Sequence, residues 1–334
     1  MSSAREAPAQ APAWTTGDVI RLGISACLLG DDVRFDGGHK RDAFLVNTVG
    51  RFVDYVPVCP EVAVGMGTPR ESVRLVRRGG DGNVRMIAPK SGTDWTAAMA
   101  RYARKQAKEL AAVPELCGFI LKKDSPSCGM ERVRLYDTGG HASRTGVGLF
   151  AAALGAEMPF LPVEEEGRLH DPRLRDNFFE RVFAYRRLKS LFGHRFRRGE
   201  LVAFHSREKL LLLAHDRPAY QQLGRLVAAV ATTPPGELAR AYQETFMTGM
   251  KKLATTRKHR NVLAHVAGYF RKLLSDAERT EFHEVVDDYA RGLVPLIVPV
   301  TLARHHVRVH GIDYLAGQTY LEPHPKELML RNHV

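Results

Sequence analysis

The stretch CGFILKKDSPSCGMERV, residues 117–133, joins a short apolar run to a polar loop that contains a cysteine. The run from Phe119 to Leu121 has the length and composition of a buried strand. The Asp, Ser, Pro and Gly residues of 124–129 are typical of a loop. The stretch therefore predicts a strand whose carboxyl end leads to the thiol of Cys128.

Two other cysteines occur in the same context. Cys27 lies in ISACLLG and Cys59 in VPVCPE, each directly after an apolar run and before a turn. In an open parallel sheet, the carboxyl ends of the strands border the crevice where ligands bind. The thiols of Cys27, Cys59 and Cys128 are thus predicted to converge there. Cys117 begins its strand and is predicted to be a small buried hydrophobe at the opposite edge.

The first half of the chain alternates short β-rich runs with helical stretches. Strands are predicted near Cys27, near Cys59 and over residues 117–123. Residues 95–110 have apolar side chains at helical spacing, and residues 145–154 suggest a further helix. This alternation predicts an α/β domain with a mostly parallel sheet.

The second half of the chain reads as mostly helical. LPVEEEGRLHDP, residues 161–172, has the charge run and prolines of a linker, and the following segments have helical period. Ser275, three residues before Glu278, predicts a helix start with a capping box. We therefore expect a disordered tail over 1–17, an α/β domain over 18–163 and an all-α helical domain over 164–334.

Composition and charge restrict the class of protein. The chain has 44% hydrophobic and 26% charged residues and a net charge of +12, and no apolar stretch long enough to span a bilayer. Residues 167–334 hold 28 Lys and Arg against 17 Asp and Glu, whereas residues 1–166 hold 21 against 20. The excess of +11 in the second half predicts a polyanionic partner, nucleic acid first, with a solvated basic surface as the alternative. The tail lacks the apolar core of a signal peptide, so we expect a cytoplasmic protein without a membrane partner.

The cysteines allow several chemistries. Structural disulfides are not expected in the cytoplasm, and no CxxC pair is present. Structural zinc usually needs four ligands, whereas a 4Fe–4S cluster held by three thiolates leaves one iron open to substrate. Unrelated buried cysteines remain the alternative.

Three motifs carry a resemblance to a known family. SACLLGDDVRFDGGHKR (25–41), VCPEVAVGMGTPRE (58–71) and KKDSPSCG (122–129) resemble the thiouracil desulfidase family. The resemblance implies a 4Fe–4S cluster bound by Cys27, Cys59 and Cys128, with one iron free of protein ligands. The second half, including HSREKLLLLAHD (205–216), resembles the helical domain fused to such desulfidases. That likeness implies thiolated tRNA as the substrate.

Replacing C=S by C=O is net hydrolysis and needs a proton acceptor close to the sulfur-binding group. Glu61 lies two residues after Cys59 and is the candidate base, which the resemblance also favours. Ser125, three residues before Cys128, is the candidate for proton relay or substrate orientation. The alternatives are a turn salt bridge for Glu61 and a simple turn hydroxyl for Ser125.

Substrate and RNA contacts are predicted from charge and glycine content. In RFDGGHKR, Asp36 is a candidate to accept from a pyrimidine N–H, and Lys40 and Arg41 to contact phosphate; Arg70 is a further substrate candidate. The TGVG sequence at 145–148 is a weak candidate for phosphate at a helix N-terminus. Four histidines are interpreted as structural or RNA-facing rather than metal ligands: His205, His215, His259 and His265. The predicted RNA contacts are Arg186, Arg187, Lys189, Arg207, Lys209, Lys251, Lys252, Arg257, Lys258 and Arg260.

The leading hypothesis is an iron–sulfur enzyme that removes sulfur from 4-thiouridine in tRNA, with no obligate protein partner. An alternative keeps the same chemistry but acts on free thiouracil or a thiolated nucleotide. A hypothesis from another class is a non-catalytic RNA-binding protein whose cysteines hold zinc. A third is a transferase with a single nucleophilic cysteine, for which the other two thiols would be dispensable.

Overall fold

The computed structural model describes residues 20–77 and 83–333, so the predicted tail over 1–17 lies outside the described residues. Within them, the strands are β1 (Arg21–Ser25), β2 (Asp54–Val58), β3 (Arg74–Arg77), β4 (Val84–Ile87), β5 (Leu116–Leu121), β6 (Val133–Tyr136), β7 (Ala142–Gly146) and β8 (Val163–Glu165). The α-helices are α1 (Ala43–Asn47), α2 (Pro60–Ala63), α3 (Thr96–Ala111), α4 (Leu149–Glu157), α5 (Pro172–Phe192), α6 (Arg198–His215), α7 (Arg217–Ala228), α8 (Pro235–Met250), α9 (Thr256–Phe270), α10 (Asp276–Ala290), α11 (Ile297–Val309) and α12 (Asp313–Ala316).

The first sheet contains four parallel strands in the order β2-β1-β5-β8. Every residue of β5 is buried, as expected for a central strand of a parallel sheet covered on both faces. Phe119 of β5 crosses Gly23 of β1 so closely that a Cβ at position 23 would lie 2.1 Å from the ring. The same ring contacts Phe150 of α4 edge to face, with 5.6 Å between centroids. Glycine at position 23 therefore lets an aromatic ring fill the space beside the central strand.

The second sheet has the order β4-β3-β6-β7 and is mixed, with only the β3–β6 pair parallel. Its core cluster consists of Leu75, Met86, Met99, Val133 and Leu135. The apolar face of α3 packs against this cluster through Met99, with Trp95 and Tyr102 at its border. The helix predicted over 95–110 and its buried face are thus confirmed, as are the strands predicted near the cysteines.

The predicted linker over residues 161–172 is wrong. Strand β8 lies in this segment and pairs with β5 in parallel, and the three consecutive glutamates are buried. Each carboxylate has a partner: Glu164 accepts from Arg168 at 2.6 Å, Glu165 from the Met130 amide at 2.8 Å and Glu166 from the Lys123 amide at 2.7 Å. A charged run looked like a linker because two of these partners lie more than 30 residues away in sequence.

The described residues divide into two compact units, one extending to Phe178 and the other beginning at Phe179. The first unit is α/β with mostly parallel strands, and the region that follows is mostly helical, so the predicted fold class is confirmed. The capping box at the start of α10 is also confirmed, since the Ser275 amide donates to the Glu278 carboxylate at 2.8 Å. Among the helices of the described residues, none combines the length and the apolar character needed to cross a membrane.

Candidate functional site

Three neighbouring strands of the first sheet bring Cys59, Cys27 and Cys128 to one edge. Cys59 directly follows β2 and precedes the first residue of α2, Cys27 lies in a 3₁₀ turn two residues beyond β1, and Cys128 lies in the loop after β5. Burial is the main cause of the raised pKa of Cys27 and of Cys128, and the Cys59 thiol adds a smaller increase to both. Cys117 is fully buried near the start of β5. The structure thus separates the three converging thiols from the fourth.

The three thiols form a donor set that suits a soft metal centre. All four cysteines are present as thiols, and Cys27 and Cys128 are 8% and 5% exposed. Burial raises the pKa of Cys27 to about 11 and that of Cys128 to about 12, and it also raises the pKa of Cys59. A bound cation favours the thiolate strongly over the thiol. Three converging thiols therefore fit a group that is bound through three thiolates.

Glu61 lies beside the Cys128 thiol in the first turn of α2. One carboxylate oxygen, Oε1, accepts from the Ser127 hydroxyl at 2.6 Å and from the Ser125 hydroxyl at 3.4 Å. The other, Oε2, accepts from Arg70 at 2.6 and 3.1 Å. The Glu61 carboxylate also raises the pKa of Cys128, which indicates that the two groups are close. The salt bridge that was the alternative interpretation of Glu61 is therefore present, and its role as a base stays a prediction.

Arg70 and the two serines determine the orientation of this carboxylate. The side chain of Arg70 is 5% exposed, and its Nη1 donates to the carbonyls of Val33 and Gly67, both at 2.9 Å. Ser125 Oγ accepts from the Cys128 amide at 3.1 Å, so it shapes the loop that carries the thiol. Ser127, 1% exposed, makes the shorter contact with Glu61. Ser127 was not among the predicted site residues, although its position next to Cys128 is a usable signal.

Lys122 is a second residue that the sequence analysis missed. Its ammonium forms an ion pair with Glu166, and its positive charge lowers the pKa of Cys27 against the effect of burial. Its amide donates to Ser25 Oγ at 2.9 Å, so the end of β5 is joined to the end of β1. The Cys27 thiol therefore has two cations nearby, since Arg34 also lowers its pKa.

The glycine-rich loop is attached to the Cys27 turn mainly through its backbone. The Lys40 amide donates to the Cys27 carbonyl at 2.8 Å, while the Lys40 side chain is exposed. Asp36 pairs with Arg34 at 3.3 Å, and Arg41 donates to Asn47 at 2.9 Å. The substrate contacts predicted for Asp36, Lys40 and Arg41 stay predictions.

The prediction that the backbone amides at TGVG bind phosphate is wrong. The amides of Gly148, Leu149 and Phe150 donate to carbonyls of residues 126–129, at 2.8, 3.2 and 2.9 Å respectively. The first turn of α4 is therefore already engaged by the loop that carries Cys128.

The helical unit uses some of its predicted RNA-contacting cations internally. Arg187 binds the buried Glu208 carboxylate at 2.7 and 3.1 Å and the Pro323 carbonyl at 3.1 Å, so the prediction that it contacts RNA is corrected. The ammonium of Lys258 donates to the carbonyls of His215 at 2.6 Å and Leu253 at 2.8 Å and is corrected likewise.

Other members of that set keep contact with solvent. Lys252 and Arg260 pair with Asp216 and Asp287, at 2.8 and 2.9 Å. The remaining exposed or half-buried members are Arg186, Lys189, Arg207, Lys209, Lys251 and Arg257.

Three of the four histidines that were interpreted as structural or RNA-facing are buried and hydrogen-bonded. His205 contacts Tyr242 Oη at 3.1 Å, His215 contacts Glu180 Oε2 at 2.9 Å and His259 contacts Tyr320 Oη at 3.1 Å. His265 is exposed.

Replacing Arg187 with alanine is expected to lower the free energy of unfolding by about 3 kcal/mol, because the buried Glu208 carboxylate loses its ionic partner. The exposed neighbour Arg207 offers a matched control, for which Arg207→Ala should change stability by less than about 0.5 kcal/mol. Urea unfolding measures both. Equal stability of the two variants would contradict the structural role of Arg187.

Comparisons with known proteins connect this geometry to a family. Residues 22–166 match the model of the 2-thiouracil desulfurase family, and residues 209–325 match a family described as a protein of unknown function, DUF1722. The uncharacterized protein YbgA of Escherichia coli (strain K12) is 35% identical over 161 residues, which are 48% of this chain and 95% of YbgA. The uncharacterized protein YbbK of Bacillus subtilis (strain 168) is 34% identical over 116 residues, 32% of this chain and 71% of YbbK. A solved structure of the [4Fe-4S]-dependent thiouracil desulfidase TudS is 31% identical, covers 46% of this chain and 94% of its own, and has a TM-score of 0.36.

Proposed function

This chain belongs to the 2-thiouracil desulfurase family, whose model it matches over residues 22–166, and from that premise we propose that it removes sulfur from thiolated pyrimidines, with free 2-thiouracil as the first substrate. The observation that carries the proposal is the meeting of three thiols with one carboxylate. Cys27, Cys59 and Cys128 follow three adjacent strands, and Glu61 lies beside Cys128. The reaction exchanges C=S for C=O with water as the oxygen source and hydrogen sulfide as the second product, so no oxidant or reductant is consumed.

A 4Fe–4S cluster is the cofactor that we assign to the three thiols. Cys27, Cys59 and Cys128 would bind three of its irons, and the fourth would supply a Lewis acid with affinity for the substrate sulfur. The same cofactor is named for TudS. Because the donor set contains three thiols and no fourth cysteine or histidine among the contacts described above, it fits this cluster better than a closed tetrahedral zinc site.

Glu61 is the residue that we assign as general base. The carboxylate is fixed on one side by Arg70 and on the other by Ser127, which restricts its rotation. It would take a proton from the attacking water and return it to the departing sulfur, while the serine hydroxyls orient the base and pass the proton. Lys122 supplies a fixed positive charge close to Cys27.

A second candidate substrate is 4-thiouridine in tRNA. It is favoured by the net charge of +11 over residues 167–334 and by the exposed side chains of Arg207, Lys251 and Arg257. Contacts of this kind supply affinity for phosphates and respond strongly to salt. The free base needs none of them, since 2-thiouracil carries no phosphate.

The test uses the full chain with its cluster reconstituted under anaerobic conditions. We expect 2-thiouracil to lose its thiocarbonyl absorption and release sulfide. Protein with a full complement of iron that leaves 2-thiouracil, 4-thiouridine and thiolated tRNA unchanged would overturn the proposal. Purification with zinc but without iron and acid-labile sulfide would favour the non-catalytic RNA-binding alternative.

The two substrate classes are separated by salt. If tRNA is a substrate that binds through six phosphates, its apparent affinity should fall by about 10³-fold between 50 and 200 mM salt. The KM for 2-thiouracil should stay nearly constant over the same range. A salt-independent KM for tRNA would remove the basic helical unit from substrate binding.

A further inference from the structure

Two helices of the second unit bring two histidines and one glutamate together. His306 lies in the last turn of α11 and His310 directly follows that helix, so the two imidazoles lie four residues apart on one face. Glu278 is the third residue of α10. One donor atom from each of Glu278, His306 and His310 lies within 4.8 Å of the others. Tetrahedral zinc ligands are about 3.3 Å apart when each metal–ligand bond is about 2.0 Å, so the three groups need only small side-chain adjustments to share an ion.

The imidazoles of this group have unsatisfied nitrogen atoms. The Nε2 atoms of His306 and His310 are buried, and neither has a hydrogen-bond partner among the residues that the structure describes. His306 is 4% exposed. Its ring is fixed by Phe270 and Phe282, with centroid distances of 5.6 and 6.4 Å. A buried polar atom without a partner costs free energy. Two such nitrogen atoms in one cluster indicate a cation that binds the lone pair of each.

The carboxylate of Glu278 is already oriented. Its Oε2 accepts from the Ser275 amide at 2.8 Å and from the Ser275 hydroxyl at 2.7 Å. The adjacent cation, Arg279, is directed elsewhere: it pairs with Asp276 and donates to the Arg271 carbonyl at 2.9 Å. The hydrogen bonds from Ser275 therefore hold the Glu278 carboxylate in a fixed orientation beside the two imidazoles, as is usual for carboxylates that bind metals.

We propose that Glu278, His306 and His310 form a binding site for a divalent transition metal ion, with zinc as the best match. Two imidazole nitrogens and one carboxylate oxygen are typical zinc ligands, and three protein ligands leave the fourth position to water. Magnesium and calcium are excluded by the imidazoles, since both ions prefer oxygen ligands. The ion joins the start of α10 to the end of α11. This site contains no cysteine and is independent of the proposed desulfidase function.

The experiment measures zinc binding to the full chain with its iron–sulfur cluster in place. Equilibrium dialysis against zinc chloride, followed by elemental analysis, should give one zinc ion per chain in addition to iron. Glu278→Gln and His310→Ala should each weaken zinc binding by more than about 100-fold, because loss of an outer hydrogen-bond partner alone typically costs 10- to 100-fold. Ser275→Ala, which removes such a partner, should weaken it by about 10-fold. Magnesium chloride should give no binding.

The neighbouring His305 provides the matched control. It is exposed and lies outside the group, so His305→Ala should bind zinc like the parent chain. Equal weakening in His305→Ala and His310→Ala, or zinc binding that survives Glu278→Gln, would overturn the site. Zinc should also raise the unfolding temperature of the parent chain and of His305→Ala but not that of Glu278→Gln. Iron is measured on the same samples, so a lost cluster is distinguished from a lost zinc site.

Discussion

Replacing Cys128 with alanine is expected to reduce cluster-bound iron to background and to abolish 2-thiouracil turnover. In the proposed site the loop of Cys128 supplies one of three thiolates, and the fourth cysteine, Cys117, is buried within β5 and does not follow a strand end. The variant would offer the cluster only two of its three thiolate ligands. Because metal binding in such sites depends on every ligand, the cluster should be lost. Cys27→Ala and Cys59→Ala should give the same result. Iron and acid-labile sulfide per chain, together with the visible absorption of anaerobically reconstituted protein, measure the effect.

Cys117→Ala is the matched control. Cys117 is fully buried in β5, so its replacement leaves a small cavity but removes no ligand. This variant should be destabilised by roughly 1 kcal/mol and keep its iron. Equal iron loss in Cys117→Ala and Cys128→Ala would contradict the assignment of the ligands. Full activity in two of the other three variants would instead favour the transferase with a single nucleophilic cysteine.

Replacing Glu61 with glutamine should lower kcat by about 10²- to 10⁴-fold while iron content stays at the parent level, because a general base contributes a factor of this size. Glutamine preserves the shape of the side chain but cannot accept the proton. Arg70 keeps two carbonyl partners, Val33 and Gly67, so the surrounding loop should stay folded. Turnover of 2-thiouracil and iron content are measured on the same samples.

The two serines distinguish a role in proton transfer from a role in shaping the loop. Ser127→Ala removes the 2.6 Å hydrogen bond to Glu61 and should lower kcat with iron retained. Ser125→Ala removes the acceptor of the Cys128 amide and should lower the iron content as well. Parent-level turnover in Glu61→Gln would remove Glu61 from the mechanism. Identical behaviour of the two serine variants would remove the distinction between them.

The sequence was sufficient to predict the convergence of the thiols, because each cysteine follows an apolar run and strand ends of a parallel sheet share an edge. Glu61 was predicted as the base from its position two residues after Cys59 and from the family resemblance, and this role stays a prediction. The sequence led to Ser125 and not to Ser127, since the distances of the two hydroxyls to Glu61 depend on the three-dimensional path of the loop, in which Asp124 has a φ of 59°. A one-dimensional pattern contains no information on such a rotation.

Charged residues were the weakest part of the sequence analysis. Arg187 and Arg207 look equivalent in the sequence, but the partner of Arg187, Glu208, is 21 residues away and buried. The glutamates of β8 were misread for the same reason. Whether a charged group faces water or a distant partner is determined by tertiary packing, which periodicity does not report. The four-residue spacing of His306 and His310 is visible in the sequence, but the sequence does not show that Glu278, on another helix, lies beside them.

The loop of Cys128 and the first turn of α4 form one hydrogen-bonded unit. Amides of that turn bind the Pro126, Ser127 and Gly129 carbonyls, and a Cβ at Gly148 would lie 2.4 Å from the Ser127 carbonyl oxygen. The loop that carries Cys128, the proposed third ligand, is therefore held in place by backbone hydrogen bonds from the start of α4. We therefore expect this loop to be ordered when the chain folds, so that binding of the proposed cluster would lose less conformational entropy there. Position 148 is sterically restricted to glycine by the Ser127 backbone, so any larger residue there is expected to displace the loop of Cys128.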